Sequence, residues 1–186
     1  MERGTFFMAD VFISYSGESA VSLLPQIADA LKKRGISCWY AERDMKPGNF
    51  AGVIARAIRN CRIFLLILNQ EALQSAHVES ELTLAFRRIV NYENFMILPF
   101  RVEESCDLKT NAVLPYYLKR FQMVDGCPPD AQHIQDLANR AARILRERVP
   151  QVGQNSKQRS FKKRVKKAQT LFASPNRRKA GKKRTF

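Results

Sequence analysis

The sequence has no apolar stretch near the roughly 20 residues that a membrane-spanning helix requires. It contains two histidines and four scattered cysteines without a C-x-x-C pair, so neither a zinc site nor a disulfide framework is expected. The first ten residues are too short and too acidic for a secretory signal. We therefore expect a cytoplasmic protein that holds no metal and no resident cofactor.

Acidic residues are missing from residues 151–186, where 13 Lys and Arg are found. The first 150 residues hold 19 basic and 17 acidic side chains, so the net charge of +15 belongs mainly to the end of the chain. This contrast predicts one folded domain at residues 9–149. Residues 150–186 are predicted to be a basic tail, largely disordered or partly helical.

Within the tail, apolar residues recur at roughly helical spacing between basic ones. They are Phe161, Val165, Ala168 and Phe172. This pattern is typical of a basic amphipathic helix that contacts a polyanion such as RNA or an anionic membrane, or an acidic partner. The alternative is a solubilising tail with non-specific affinity for polyanions, and no base-reading motif is present.

Five short apolar runs predict β-strands in the folded region. They are residues 10–14, 36–40, 62–68, 95–100 and 121–124. Helical patterns lie between them, and this alternation predicts an α/β fold with a parallel sheet covered by helices on both faces. Residues 102–118 are expected to be irregular with one short helix.

The ends of the predicted helices carry recognisable capping residues. The first helix is expected to begin near Ser22, which places Pro25 in its first turn, and to end at Gly35. Apolar residues from Val53 to Ile58 mark a second helix. Ser75 is the candidate N-cap of a third helix, and Asp130 that of the last.

Ligands of open parallel sheets bind beyond the carboxyl ends of the strands. Residues 15–19, 41–49 and 69–74 are predicted to be loops at that edge. The first of these loops lacks the G-x-G-x-x-G pattern of a Rossmann dinucleotide site, so a hydride-carrying cofactor is not predicted.

Three motifs resemble those of TIR domains, in the expected order. They are DVFISYS at residues 10–16, WYAERDMKPG at 39–48 followed by Phe50, and SAHVESEL at 75–82. The resemblance covers about residues 9–149 and implies a flavodoxin-like, five-stranded parallel sheet. It is to the bacterial NAD-cleaving type, which implies an NAD glycohydrolase or ADP-ribosyl cyclase in antiphage defence or signalling.

The resemblance implies that Glu81 is the catalytic residue. NAD carries a cationic nicotinamide that leaves without a proton, so one carboxylate beside the ribose can stabilise the oxocarbenium-like transition state without a metal. Glu79 lies about 160° away around the helix and is expected to be a surface acid. The alternative for Glu81 is a solvated acid near a helix N-terminus.

The remaining candidate substrate contacts come from the same three motifs. Ser14, Tyr15 and Ser16 follow the first strand, where hydroxyls are expected to approach the ribose or diphosphate of the substrate. Phe50 matches an aromatic residue that stacks on nicotinamide in the family. Its alternative role is packing at the start of a helix.

Three further candidates carry weaker arguments. Because neighbours alternate across a strand, Trp39 is expected to pack in the core and Tyr40 to approach the pocket. Arg43 is a candidate contact to phosphate or ribose, with a solvated loop charge as the alternative. His77 precedes Glu81 by one helical turn and stands where family members often have Trp.

Three functions follow from these patterns. The first is an enzyme that cleaves NAD or NADP and makes a product for a downstream effector. For this enzyme the resemblance implies a homo-oligomer with TIR–TIR contacts near Pro47 and Gly48, where the alternative is an ordinary turn. The second is a catalytically silent TIR adaptor that acts through TIR–TIR contacts. The third is a nucleic-acid-binding protein that acts through its tail.

Overall fold

The computed structural model describes residues 9–45, 50–91, 95–104, 118 and 121–147. Five parallel strands form one sheet in the order β2-β1-β3-β4-β5, which is the flavodoxin-like order. The strands are β1 Val11–Ser14, β2 Cys38–Trp39, β3 Ile63–Leu68, β4 Met96–Arg101 and β5 Val124–Asp125. The predicted α/β fold is confirmed.

Seven helices are described. They are α1 Glu18–Val21, α2 Leu24–Lys32, α3 Ala41–Asp44, α4 Phe50–Asn60, α5 Gln70–Gln74, α6 Ala76–Asn91 and α7 Ala131–Arg146. Pro25 lies in the first turn of α2, and Gly35 adopts a positive φ of 70° just beyond that helix. Ser75 Oγ accepts a hydrogen bond from the Val78 N–H, and Asp130 caps α7. These four predictions are confirmed.

The sheet separates two apolar cores. The central strand β3 is buried along its whole length, so its alternate side chains enter opposite cores. The first core contains the buried faces of α2 and α7, and the second contains the buried face of α6. Phe12 of β1 points into the second core, as do Val78 and Leu82 of α6. This second core anchors the helix that carries Glu81.

Both edge strands differ from their predicted bounds. The strand β2 is limited to Cys38–Trp39 because Tyr40 already caps the short helix α3. The strand β5 begins at Val124, three residues later than predicted, and pairs with β4 only at Phe100 and Arg101. An edge strand is held by one neighbour, so the apolar pattern defines its ends less sharply than those of a central strand.

The three segments predicted to be loops at the carboxyl edge contain the short helices α1, α3 and α5. The apolar pattern that predicted α4 also overstated its buried face. Val53 is 42% exposed and only Ile58 of this helix is fully buried. The helix α4 therefore presents apolar surface rather than a complete core-facing stripe.

Several sequence-based predictions lie outside the described residues. They concern the first eight residues, Pro47 and Gly48, nearly all of residues 102–118, and the basic tail. Among the helices that the structure describes, none is long and apolar enough to cross a membrane. In the same part of the chain, no three His, Cys, Asp or Glu side chains are grouped as metal ligands would be.

Candidate active site at the carboxyl edge of the sheet

Glu81 meets the end of β1. Ser14, the last residue of that strand, donates a hydrogen bond from Oγ to Glu81 Oε2 at 2.6 Å. Val78 and Leu82 hold α6 in the second core, which turns the intervening Glu81 toward the sheet edge. Ser14 is buried and Glu81 is half-buried, so the pair lies in a sheltered position rather than in open solvent.

Burial raises the pKa of the Glu81 carboxyl to about 7, and the hydrogen bond from Ser14 only partly opposes this effect. Neither burial nor the Ser14 hydrogen bond brings a cationic side chain to the Glu81 carboxyl. The carboxyl is therefore divided between its protonated and ionised forms near neutral pH. A cationic ligand placed beside it would favour the ionised form.

Tyr15 follows Ser14 and links β1 to the short helix α3. Its phenol oxygen accepts a hydrogen bond from the Glu42 N–H at 3.1 Å. Burial is the main cause that raises the pKa of the Tyr15 phenol, and the negative charge of Glu81 contributes in the same direction. The phenol and the carboxyl thus lie within electrostatic range of one another.

Ser16 and Gly17 complete the connection to α1. The Ser16 carbonyl accepts a hydrogen bond from Asn69 Nδ2 at 2.9 Å. Gly17 has φ 86° and ψ 159°, a conformation that only glycine adopts readily, and a Cβ there would collide with the Glu71 carboxyl. The structure thus brings Ser14, Tyr15 and Ser16 to the same edge as Glu81.

Asn69 lies in a segment that was predicted to reach this edge, but it was not predicted as a residue of the site. It follows β3, is fully buried, and accepts the Ala72 N–H at 2.8 Å as the N-cap of α5. The sequence contained the relevant pattern, because an Asn directly after an apolar strand is a typical helix N-cap.

Tyr40 and Arg43 make contacts with one another at the start of α3. Tyr40 is only 8% exposed and belongs to the first core, on the sheet face opposite the core that anchors α6. The Arg43 guanidinium lies 4.5 Å from the Tyr40 ring centre and forms an ion pair with Asp44 at 2.8 Å. Both side chains are engaged in these contacts, and the substrate contact predicted for each stays a prediction.

Trp39 packs as predicted, although it remains half-buried. Its ring stacks on Phe12 with 5.1 Å between ring centres and 13° between planes. Because Phe12 and Ser14 alternate with Ile13 along β1, Trp39 lies on the sheet face that Ser14 occupies. The opposite placement of Trp39 and Tyr40 follows from strand alternation.

The remaining candidates are exposed. Phe50 opens α4 with 50% of its surface accessible, and His77 lies one turn before Glu81 on the solvent side of α6. Glu79 is also exposed, which agrees with its assignment as a surface acid. The environments of Glu79 and Glu81 therefore differ in the way that their spacing on the helix predicts.

A flavodoxin-like parallel sheet with a sheltered carboxyl at its carboxyl edge places this chain among the doubly wound α/β proteins. Residues 11–138 match the TIR domain family, and the chain belongs to that family. The motifs that resembled TIR domains fall inside the matched range, except for Asp10 at its start.

Among related sequences, the Stimulator of interferon genes protein of Magallana gigas is 30% identical over 89 residues, which are 47% of this chain and 21% of the relative. The chain therefore spans about a fifth of the length of that relative. The match supports kinship with a short part of a longer protein.

Two solved structures share the fold. The TIR domain of the Toll-related receptor TRR-2 from Hydra magnipapillata aligns with a TM-score of 0.56 and 23% identity, over 73% of this chain and 98% of the other. A metazoan TIR-STING receptor from C. gigas, solved in complex with 2′,3′-cGAMP, aligns with a TM-score of 0.54 and 23% identity, over 70% of this chain and 39% of that one.

Proposed function

We propose that this TIR domain cleaves the bond between nicotinamide and ribose in NAD or NADP, as a glycohydrolase or an ADP-ribosyl cyclase of the bacterial NAD-cleaving type. Glu81 is the catalytic residue. The observation that carries the proposal is the sheltered Glu81 carboxyl, hydrogen-bonded to Ser14 at the carboxyl edge of the sheet. Its raised pKa has no cationic contribution, so the site suits a positively charged substrate.

In the proposed reaction, the bond from the ribose C1 to the nicotinamide nitrogen breaks and its electron pair stays on that nitrogen. Nicotinamide leaves as a neutral molecule, and positive charge develops on the ribose. The ionised Glu81 carboxylate stabilises that charge and orients the ribose hydroxyls. Water then adds to C1 and releases a proton to solvent, or an adenine nitrogen adds and closes a cyclic product.

Substrate contacts are proposed for Ser14, Tyr15 and Ser16, which adjoin Glu81, and for the exposed residues Phe50 and His77. The Phe50 ring is free to stack on the flat nicotinamide, since half of its surface is accessible. Substrate contacts are also proposed for Tyr40 and Arg43, of which Tyr40 is buried and Arg43 is paired with Asp44.

The test is nicotinamide release from NAD by the purified full chain, measured at low and high protein concentration and followed by mass spectrometry of the ribose product. Glu81→Ala and Glu81→Gln are expected to abolish release. Glu79→Ala and Glu79→Gln are the matched controls on the same helix and are expected to keep it.

Equal release by the wild-type protein and Glu81→Ala would exclude this site. Release that is lost only in the Glu79 variants would mean that the wrong acid has been assigned. The mass of the product separates ADP-ribose from its cyclic form.

A catalytically silent adaptor is the second candidate function. It is favoured by the exposed apolar side chains of Phe50 and Val53 on α4, which suit a TIR–TIR contact. A wild-type protein that forms oligomers and releases no nicotinamide in any assembly state would support this function over the enzyme.

For the biological setting we propose defence signalling, antiphage in a bacterial host, in which a downstream effector recognises the product. The related Magallana gigas protein is named for stimulating interferon genes, which is consistent with a signalling role. Homo-oligomer formation through TIR–TIR contacts and contact of the basic tail with a polyanion belong to the same proposal.

A further inference from the structure

The buried polar side chains in the described part of the chain are Ser14 and Asn69. Both lie at the carboxyl edge of the sheet, after neighbouring strands β1 and β3. Burying a polar group is unfavourable unless its hydrogen bonds are made, so a buried polar side chain requires a specific reason. Ser14 has that reason in Glu81. Asn69 requires its own explanation.

The side chain of Asn69 makes three hydrogen bonds that divide into two functions. Its Oδ1 accepts the Ala72 N–H at 2.8 Å, which caps α5. Its Nδ2 donates to the Ser16 carbonyl at 2.9 Å and to Ser19 Oγ at 3.0 Å. The oxygen therefore serves its own helix, and the amide group serves the segment that follows β1.

Asp130 shows what a helix cap alone requires. It caps α7 with the same backbone angles as Asn69, φ −129° and ψ 175°, and with the same 2.8 Å bond to the third residue of its helix. Asp130 does this at the surface with a carboxylate, which has no N–H to donate. The buried amide donor of Asn69 is therefore additional to capping.

The segment that receives this donor needs an anchor. The β1–β3 ladder ends at Ser14, and Gly17 adopts a conformation that favours glycine. Between them, the Tyr15 phenol is held by Glu42 and the Ser16 carbonyl by Asn69. Two contacts from different strand ends thus hold the residues beside Glu81.

We propose that Asn69 is a positioning residue, whose amide group holds the Tyr15–Gly17 segment as a wall of the Glu81 site. Its consequence for catalysis rests on the proposed NAD cleavage. Its consequence for the surroundings of Glu81 does not, because a loosened wall admits water to the carboxyl whether or not NAD is the substrate.

The decisive variant is Asn69→Ser, since serine is a good N-cap and lacks the amide that donates to Ser16. Asp130→Ser is the matched control, because it makes a corresponding change at the cap of α7. Thermal unfolding of both variants measures the cost of the altered cap. Asn69→Thr, which also offers a capping oxygen, lacks the amide and adds no charge, replaces Asn69→Ser in the same measurements if that variant does not fold.

Titration of the Glu81 side-chain carboxyl by ¹³C NMR is the first readout. We expect its pKa to fall from about 7 toward 4.5 in Asn69→Ser, by roughly one pH unit or more, and to stay unchanged in Asp130→Ser. An unchanged titration in a folded Asn69 variant would overturn the inference.

Steady-state cleavage of NAD is the second readout. In Asn69→Ser we expect KM to rise about tenfold while kcat changes less, because misplaced wall residues weaken substrate positioning. If the wild-type protein cleaves no NAD, the proposed function fails while the NMR titration still decides the role of Asn69. Wild-type KM in an active Asn69→Ser variant would refute the positioning role in catalysis.

Discussion

The replacement Glu81→Gln should change how stability depends on pH. The folded protein holds the Glu81 carboxyl at a pKa of about 7, against an ordinary value of 4.5. Because the folded-state pKa is the higher one, the fold favours the protonated form. The resulting stabilisation is fully present below pH 4.5 and is lost as pH rises through about 7.

The size of this effect follows from the two pKa values. Their difference corresponds to about 3 kcal/mol, using about 1.4 kcal/mol for each pH unit. Glutamine has a similar shape, can still accept the Ser14 hydrogen bond, and does not titrate. The stability of Glu81→Gln relative to the wild-type protein should therefore rise by about 3 kcal/mol between pH 4.5 and pH 8.

Urea unfolding of both proteins at several pH values between 4.5 and 8 measures this difference. Effects of all other titrating groups are shared by the two proteins and cancel. For a domain of this size, 3 kcal/mol corresponds to a change of roughly 9 °C in the difference between their Tm values. Glu79→Gln removes the same charge from an exposed position on the same helix and should leave the pH dependence almost unchanged.

Parallel pH curves for the wild-type protein and Glu81→Gln would refute this reasoning, because they would mean that the Glu81 carboxyl is not desolvated in the fold. A similar divergence in Glu79→Gln would show that the effect comes from general charge on α6 rather than from the sheltered site.

Three further predictions concern the same sheet edge. The kcat/KM for NAD should fall as pH drops through about 7, because protonation removes the Glu81 carboxylate; a pH–rate profile with no change in that range would contradict its role. Gly17→Ala should destabilise the fold by about 1–3 kcal/mol in urea unfolding, because alanine is strained in the backbone conformation of Gly17. Adding Glu71→Ala to that variant should remove only the collision of the new Cβ with the Glu71 carboxyl. Full recovery of stability in the double variant would disprove the backbone explanation. Phe50→Ala should change stability by less than about 0.5 kcal/mol, since Phe50 is half exposed, yet raise KM for NAD; a large loss of stability in thermal unfolding would assign Phe50 to the core instead.

The central elements could be predicted from the sequence because their patterns are dictated by burial. The run IFLLIL of β3 is short and buried on both sides, as a central strand of a parallel sheet requires. Local capping chemistry located Ser75 and Asp130 equally well. The edge strands and the short helices α1, α3 and α5 were missed or misplaced, because few buried residues define them.

The candidate site could be predicted only in part, for a related reason. Helical spacing separates Glu81 from Glu79, and the motif resemblance selects between them. The burial that raises the pKa of Glu81 is a tertiary effect, and so is the contact from Ser14 across 67 positions of sequence. Tyr40 illustrates the limit of prediction from strand alternation. The alternation predicts that Tyr40 and Trp39 lie on opposite faces of the sheet, but it does not predict which face carries the site.

The energetic character of Glu81 connects the fold to the proposed chemistry. Glu81 is half-buried and receives its hydrogen bond from the neutral Ser14 hydroxyl, so its carboxyl weakens the fold whenever it is ionised. Folding alone would therefore favour an amide or an apolar side chain at this position. A nicotinamide-bearing ribose brings positive charge to that position and relieves the penalty, most strongly when the charge moves onto the ribose during bond cleavage. The same desolvation that lowers stability above pH 7 therefore strengthens the attraction between Glu81 and the transition state.

On this reasoning, nucleotides without the positive charge, such as NADH, should bind at this carboxylate more weakly than NAD at pH 8. If NADH and NAD bind equally tightly at pH 8, the buried Glu81 carboxylate does not recognise the charge of the ligand.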